Sequence, residues 1–200
     1  LAALGAAFDA ASTNPDVRVI ILSAAGLVFC AGHDLKEMTA GRQNADRGRA
    51  YFTKILDQCS SVMQKIVTCP KPVIAEIDGV ATAAGCQLVA SFDLAVASKD
   101  AQFCTPGVHI GLFCSTPMVA LSRNLANKHA MEMLLTGDMV SASRAAEMGL
   151  VNKVVPSAEL LAASMALAGK IAAKSSLTVA TGKRAFYQQK EMDLAAAYNY

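Results

Sequence analysis

The sequence predicts an α/β fold, and three observations lead to that class. Segments rich in β-branched residues alternate with amphipathic helical segments along the whole chain. The segment VRVIILSA, residues 17–24, is a continuous β-branched run, which is typical of a buried parallel strand. Twice, a strand is followed by a glycine-bearing loop and then by a helix. Because the 200 residues show no repeat, low-complexity segment or linker, we expect one domain over residues 1–200.

The sequence of the first half predicts a short N-terminal helix, followed by two strands and one long helix. Residues 1–13 form that short helix, closed by the turn sequence STNP. After the strand at 17–24, the sequence GHDLKEM leads into a helical turn. Residues 45–68 give the clearest helix, because their apolar side chains recur at three- and four-residue spacing and PKP follows. The segment 73–78 is the next strand and ends in an Asp-Gly turn.

The second half continues the alternation of strands and helices. Short strands are expected over residues 93–98, 101–105 and 150–155. Helices are expected over residues 84–92, 116–126, 128–135, 141–148 and 158–173, with a last one beginning near residue 177.

Composition excludes several classes of protein. With 54% hydrophobic and 17% charged residues, the chain is not a disordered segment. A net charge of +2 without a Lys/Arg cluster indicates no nucleic-acid partner. Prolines and glycines break the uncharged stretch 101–122, so we expect no membrane span. The six cysteines and three histidines lack metal-ligand spacing, so we expect reduced thiols and no metal site.

The two glycine loops are the feature that could carry chemistry. They are CAGHD at residues 30–34 and AAGC at residues 83–86, each between a strand and a helix. A helix start presents unpaired backbone N–H groups and the positive end of the helix dipole. Two such starts that face each other could hold one oxygen between two amides. Either loop alone is more typical of an ordinary strand-to-helix turn.

Several motifs of the chain together resemble the crotonase (enoyl-CoA hydratase/isomerase) superfamily. They are FCAGHDLKEM, KPVIAEIDGVATAAGCQLVASFDLAVAS, AQFCTPGVHIGL and AMEMLLTGDMVSASRAAEMGLVNKVVP, in the family's order. The resemblance implies a crotonase-type spiral of ββα units with C-terminal helices, assembled as a homotrimer or a dimer of trimers. It also implies fatty-acid or lipid metabolism in mitochondria. Since Leu1 opens in mid-pattern and the family has further late helices, we expect more sequence at both ends.

The resemblance implies a site for an acyl-CoA thioester and no other cofactor. In the family, two backbone amides polarise the thioester carbonyl, and the matching residues here are His33 and Ala84. The family's loop along the CoA moiety matches Ala31, His33, Asp34, Leu35 and Lys36.

Both acid/base positions of the family's hydratases are replaced in this chain. Hydratases carry glutamates there, whereas this sequence has Gln87 and Gly107. An amide can orient a water molecule but cannot take its proton, and glycine offers no side chain. The resemblance therefore does not extend to hydratase activity, and no catalytic residue is assigned. His109, two residues after Gly107, is either a replacement base or a structural histidine.

Three functions stay open at this point. The first is an acyl-CoA-binding protein with altered chemistry, such as isomerase, decarboxylase or thioesterase action. The second is a hydratase that uses other residues, and the third is a non-catalytic binding or assembly protein. Cys86 and Cys104 are expected to be packing residues rather than nucleophiles. Lys36 and Lys71 either meet CoA phosphates or are solvated surface residues.

Overall fold

The apolar strand segments assemble into two four-stranded sheets in the computed structural model, which describes residues 1–200. Eight strands take part, and each is short. They are β1 Ile20–Leu22, β2 Val28–Cys30, β3 Val73–Ile77, β4 Val80–Thr82, β5 Leu94–Ser98, β6 Gln102–Cys104, β7 Val140–Ser141 and β8 Lys153–Val155.

Successive strands belong to alternate sheets. The first sheet has the order β1-β3-β5-β8 and is entirely parallel, with Ile20 paired with Val73 and Ala75 with Ala95. In the second sheet, β2, β4 and β6 are parallel and β7 is antiparallel to β6. Three times, the chain therefore adds one strand to each sheet before it turns into helices. This arrangement confirms the predicted spiral of ββα units.

Ten α-helices surround the sheets, and two short 3₁₀ helices lie at Pro106–Ile110 and Ser157–Glu159. The α-helices are α1 Ala2–Thr13, α2 Leu35–Gly41, α3 Arg49–Thr68, α4 Ala84–Ser91, α5 Ser115–Asn124, α6 Asn127–Thr136, α7 Ala142–Met148, α8 Leu160–Ala172, α9 Ser176–Gln189 and α10 Leu194–Asn199.

Two apolar clusters hold these layers together. The larger one contains 30 buried residues and includes Val62 and Ile66 on the inner face of α3. The smaller one packs Leu160 and Ala168 of α8 on the outer face of the first sheet, against side chains such as Ile74. Burial of an aliphatic side chain of this size contributes about 1.5–3 kcal/mol. The three- and four-residue spacing of apolar side chains in the sequence of α3 is the spacing of the residues that this helix buries.

The predicted start of the long helix was wrong by four residues. Residues 45–48 form a turn, in which the Asp46 carboxylate accepts hydrogen bonds from the amides of Gly48 and Ala50 at 2.9 and 2.8 Å. Gly48 has a φ of 84°, a left-handed conformation that glycine adopts without strain. The helix begins only after this turn, at Arg49.

A mostly buried ion pair, with side chains 8% and 15% exposed, links α9 to the rest of the fold. Lys183 Nζ donates to Asp93 Oδ2 at 2.6 Å and to two main-chain carbonyls at 3.0 and 3.1 Å, so its three protons all have acceptors. The Tyr187 hydroxyl donates to Asp93 Oδ1 at 2.9 Å, and burial raises the pKa of Tyr187. Asp93 also accepts from the amide of Val73 at 2.7 Å. The pair thus ties α9 to the start of β3.

No single helix is long and apolar enough to cross a membrane. Ser157–Ala172 and Ser176–Gln189 reach that length and composition only when they are taken together, and they are bent by 101°.

Candidate functional site

The two glycine loops lie against each other. They follow β2 and β4, which are neighbours in the second sheet, with Cys30 paired with Ala81. Gly32 has a φ of 92°, and a β-carbon on it would lie 3.3 Å from the nitrogen of Ala84. A β-carbon on Gly85 would lie only 2.1 Å from the carbonyl oxygen of Cys30. Gly32 and Gly85 therefore allow the backbones of the two loops to approach each other closely.

The amides of His33 and Ala84 are free at this contact. Neither N–H donates a hydrogen bond within the protein. Ala84 is the first residue of α4, where helix geometry leaves the N–H without a partner. Ala83 before it has a φ of 52° and a ψ of −117°, a strained conformation held by its N–H bond to Cys104 O at 3.0 Å. Strain of this kind, about 1–3 kcal/mol, concentrates at functional sites.

The His33 side chain is half-buried beside this pair of amides. Its Nε2 atom is buried and has no hydrogen-bond partner. Burial lowers the pKa of His33 below its ordinary value of 6.5. The imidazole is therefore neutral at physiological pH.

The segment predicted to follow CoA lies at the surface. Asp34 is the N-cap of α2, and its Oδ1 accepts from the amides of Lys36 and Glu37 at 2.7 and 3.3 Å. Ala31, Leu35 and Lys36 are exposed. The capping role explains why an aspartate stands at this position, and the Lys36 ammonium has no acceptor in the protein.

Gln87 lies one turn after Ala84 and lines a cavity of about 480 Å³. Its side chain is only 5% exposed, and Cys59 Sγ approaches its Oε1 at 3.9 Å. Four helices, α3, α4, α5 and α9, form the walls. The lining residues are Ser60, Met63, Gln64, Val67, Thr68, Gln87, Ala90, Ser91, Thr116, Val119, Ala120, Arg123, Asn124, Tyr187, Lys190 and Glu191.

Gly107 does not leave open space for a side chain. It lies in the 3₁₀ helix Pro106–Ile110, and a β-carbon on it would lie 2.9 Å from both Cys114 Sγ and Leu112 O. Contacts this short require the loop to move. The structure around Gly107 is therefore packed for glycine.

His109 contacts the end of α6. Its Nε2 lies 3.2 Å from Gly137 O, at hydrogen-bonding distance. Gly137 has a φ of 69°, and a β-carbon on it would lie 2.8 Å from that same nitrogen. His109 does not line the cavity beside Gln87. These contacts give the ring a packing role between the 3₁₀ helix and α6.

The remaining candidates from the sequence are two cysteines and two lysines, and none of them lines the Gln87 cavity. Cys86 is fully buried and burial strongly raises the pKa of its thiol, which makes it a poor nucleophile. Cys104 Sγ donates to Thr82 Oγ1 at 3.2 Å. Lys71 lines a separate cavity of about 240 Å³ together with Arg18 and Lys174. Lys36 is not part of that cavity.

The structure adds cavity residues that the sequence did not suggest. Tyr187, Lys190 and Glu191 come from α9 and its end, and Glu191 meets Arg123 of α5 although 68 residues separate the two in the sequence. No group of three or more His, Cys, Asp or Glu side chains is arranged to hold a metal ion.

Comparisons with known proteins agree with this architecture. The family model described as Enoyl-CoA hydratase/isomerase matches residues 1–200. The chain is 51% identical over 185 residues to enoyl-CoA hydratase domain-containing protein 3, mitochondrial, of Rattus norvegicus. That match covers 92% of this chain and 60% of the rat protein, so the chain spans three fifths of its relative.

Two solved structures are similar over almost the whole chain. An enoyl-CoA hydratase from Mycobacterium smegmatis matches with a TM-score of 0.92 and 50% identity, over 99% of this chain and 75% of that one. Human enoyl-CoA hydratase domain-containing protein 3 matches with a TM-score of 0.91 and 48% identity, over 99% and 76% of the two chains.

Proposed function

Because the chain belongs to the enoyl-CoA hydratase/isomerase family, we propose that it binds acyl-CoA thioesters between the amides of His33 and Ala84. The resemblance of its motifs to the enoyl-CoA hydratase domain-containing protein 3 group is confirmed by the same comparisons. The observation that carries the proposal is the pair of free N–H groups on two loops that touch through Gly32. Two such donors stabilise negative charge on one oxygen.

The acyl group of the ligand would enter the cavity beside Gln87. Gln87 follows Ala84 by three residues, which is about 4.5 Å along the helix axis. Carbons next to a carbonyl held at Ala84 would therefore pass Gln87. Beyond it, Met63, Val67 and Val119 offer apolar wall for the rest of the chain. The exposed segment 31–36 supports the CoA moiety, with Lys36 as a cation for its phosphates.

The chemistry of this site differs from that of a conventional hydratase. Gln87 cannot exchange a proton, and the space beside Gly107 is filled by Leu112 and Cys114. The two amides can still polarise a thioester, whereas addition of water needs a positioned acid and base. We therefore assign an acyl-CoA-binding protein of lipid metabolism that lacks the hydratase acid/base pair. A mitochondrial location is part of the proposal, supported by the name of the rat relative.

Self-association is also part of the proposed function. Helices α8 to α10 expose large apolar side chains that a monomer would leave in water. Leu161 and Leu177 are 64% and 77% exposed, and Leu194 is 74% exposed. We expect a homotrimer or a dimer of trimers, and light scattering at micromolar concentration measures it. A monomer would contradict this part.

Binding and turnover should be measured together. Calorimetry with enoyl-, β-ketoacyl- and malonyl-type CoA thioesters tests binding, and product analysis of the same mixtures tests turnover. We expect binding of at least one class without appreciable hydration of crotonyl-CoA. A folded sample that binds none of the esters would refute the proposal. Hydration at an ordinary enzymatic rate would favour the hydratase alternative, and binding with no turnover of any ester would favour a non-catalytic protein.

A further inference from the structure

The end of the Gln87 cavity farthest from Ala84 is polar. Asn124 Nδ2 donates to Ala90 O at 2.7 Å, which places the last turn of α5 against the end of α4. Ala90 follows Ala84 by six residues, or about 9 Å along the helix axis. Arg123, next to Asn124, also lines the cavity. If the acyl chain enters at Gln87, as the proposed function places it, its far end would lie near these side chains.

Positive charge is in excess at this end. Arg123 and Lys190 line the cavity together with one carboxylate, that of Glu191. Arg123 Nε donates to Glu191 Oε1 at 3.1 Å and Nη1 donates to Val119 O at 3.3 Å, while Nη2 has no acceptor. Lys190 donates to the carbonyl of Arg123, which leaves two of its protons without a partner. The surplus of donors and of charge favours an anionic acceptor.

We propose that the cavity selects acyl groups that end in a carboxylate, with Arg123 and Lys190 as the specificity-determining residues. The inference rests on the proposed function, since it places the thioester at the amides of His33 and Ala84. The apolar side chains in the walls, Met63, Val67 and Val119, suit the methylene chain of such an acyl group. Glu191 competes with the ligand for Arg123, because both present a carboxylate to the same guanidinium.

Two esters with the same number of carbons test this selectivity. Octanoyl-CoA ends in a methyl group and suberyl-CoA in a carboxylate, so the ratio of their dissociation constants isolates the far end of the chain. Calorimetry should show tighter binding of suberyl-CoA by the unmodified protein. Partly exposed ion pairs give effects of up to about fivefold in affinity. The preference should shrink when salt is raised.

Two variants are expected to change the affinity for suberyl-CoA in opposite directions. Arg123→Gln should weaken suberyl-CoA binding about fivefold and change octanoyl-CoA binding by less than about twofold. Glu191→Gln should strengthen suberyl-CoA binding about threefold, because it removes the competing carboxylate. Both side chains are at least half exposed, so the fold does not depend on them.

The outcomes separate this inference from the proposed function. Octanoyl-CoA binding without a preference for suberyl-CoA would overturn the inference and leave the proposed function standing. Equal losses for both esters in Arg123→Gln, or weaker suberyl-CoA binding in Glu191→Gln, would overturn it as well. If neither ester binds, the proposed function itself is wrong.

Discussion

Gln87→Glu places a carboxylate where the motif resemblance implies one in the family's hydratases, and it changes charge while it preserves shape. The Gln87 side chain is 5% exposed and lies one turn after the proposed thioester site. Burial raises the pKa of a carboxyl group above about 4.3. Each unit of that rise costs about 1.4 kcal/mol of folding stability at neutral pH. The cost disappears below about pH 4.3, where the group is protonated in both states.

The raised pKa is also what makes the new group useful. General acid–base catalysis contributes about 10²- to 10⁴-fold when the pKa approaches the working pH. With one carboxylate restored, we expect crotonyl-CoA hydration to rise by about 10²-fold over the unmodified protein. The loss of enoyl absorbance measures the rate. Gln64→Glu, which adds the same charge to the same cavity from α3, should give no gain.

Gly107→Glu would place a carboxylate at the second replaced position, but the packing around Gly107 opposes any side chain there. A β-carbon at Gly107 meets Cys114 Sγ and Leu112 O at 2.9 Å. Overpacking of this kind costs about 1–3 kcal/mol. We expect the double change to hydrate crotonyl-CoA faster than the unmodified protein only if urea unfolding shows that it still folds.

One result would refute the reasoning on both positions. If the unmodified protein hydrates crotonyl-CoA at about 1–10³ s⁻¹, a typical enzymatic rate, then Gln87 and Gly107 are not empty acid/base positions. Another group would then supply the proton transfer, and loss of the activity in His109→Asn would identify it as His109.

Three further predictions follow from the contacts at the site and at α9. Gly32→Ala should weaken acyl-CoA binding about tenfold, as measured by calorimetry, because the added methyl would lie 3.1 Å from the β-carbon of Ala83 on a left-handed backbone. Unchanged binding would contradict the role of the loop contact. Lys183→Met should lower the free energy of unfolding in urea by about 3–5 kcal/mol, since it leaves the Asp93 carboxylate without its cation. Arg184→Met, at the exposed neighbouring position, should lower it by less than about 0.5 kcal/mol. Equal losses would refute the role of the ion pair. Burial lowers the pKa of His33 below 6.5, so the unfolded state takes up a proton before the folded state as pH falls. The free energy of unfolding should therefore drop below pH 6.5, and it should drop less in His33→Asn. Identical pH profiles of stability for the two proteins would contradict this.

Long elements could be predicted from the sequence because their pattern is local. The helix Arg49–Thr68 buries Cys59, Val62, Met63 and Ile66, at the spacing that predicted it. The strands Val28–Cys30 and Val80–Thr82 were not predicted, because three residues carry too little pattern of their own. Their conformation comes from pairing with each other, which is a non-local interaction.

The same distinction applies to the candidate site. Both glycine loops could be found in the sequence, since strand, glycine and helix follow one another along the chain. The contact of Gly32 with Ala84 depends on the order of strands in the second sheet, which the sequence does not display. Arg123 and Glu191 are 68 residues apart and meet only because α9 folds back over the cavity.

The most direct test of the proposed site compares two ligands that differ in one oxygen atom. Octanoyl-CoA has the thioester carbonyl, and its thioether analogue, octyl-CoA, lacks it. Each hydrogen bond to that oxygen is worth about 0.5–1.5 kcal/mol, so two amides should make the thioester bind about tenfold tighter in titration calorimetry. Equal affinity for the two compounds would contradict the claim that His33 and Ala84 hold the carbonyl oxygen.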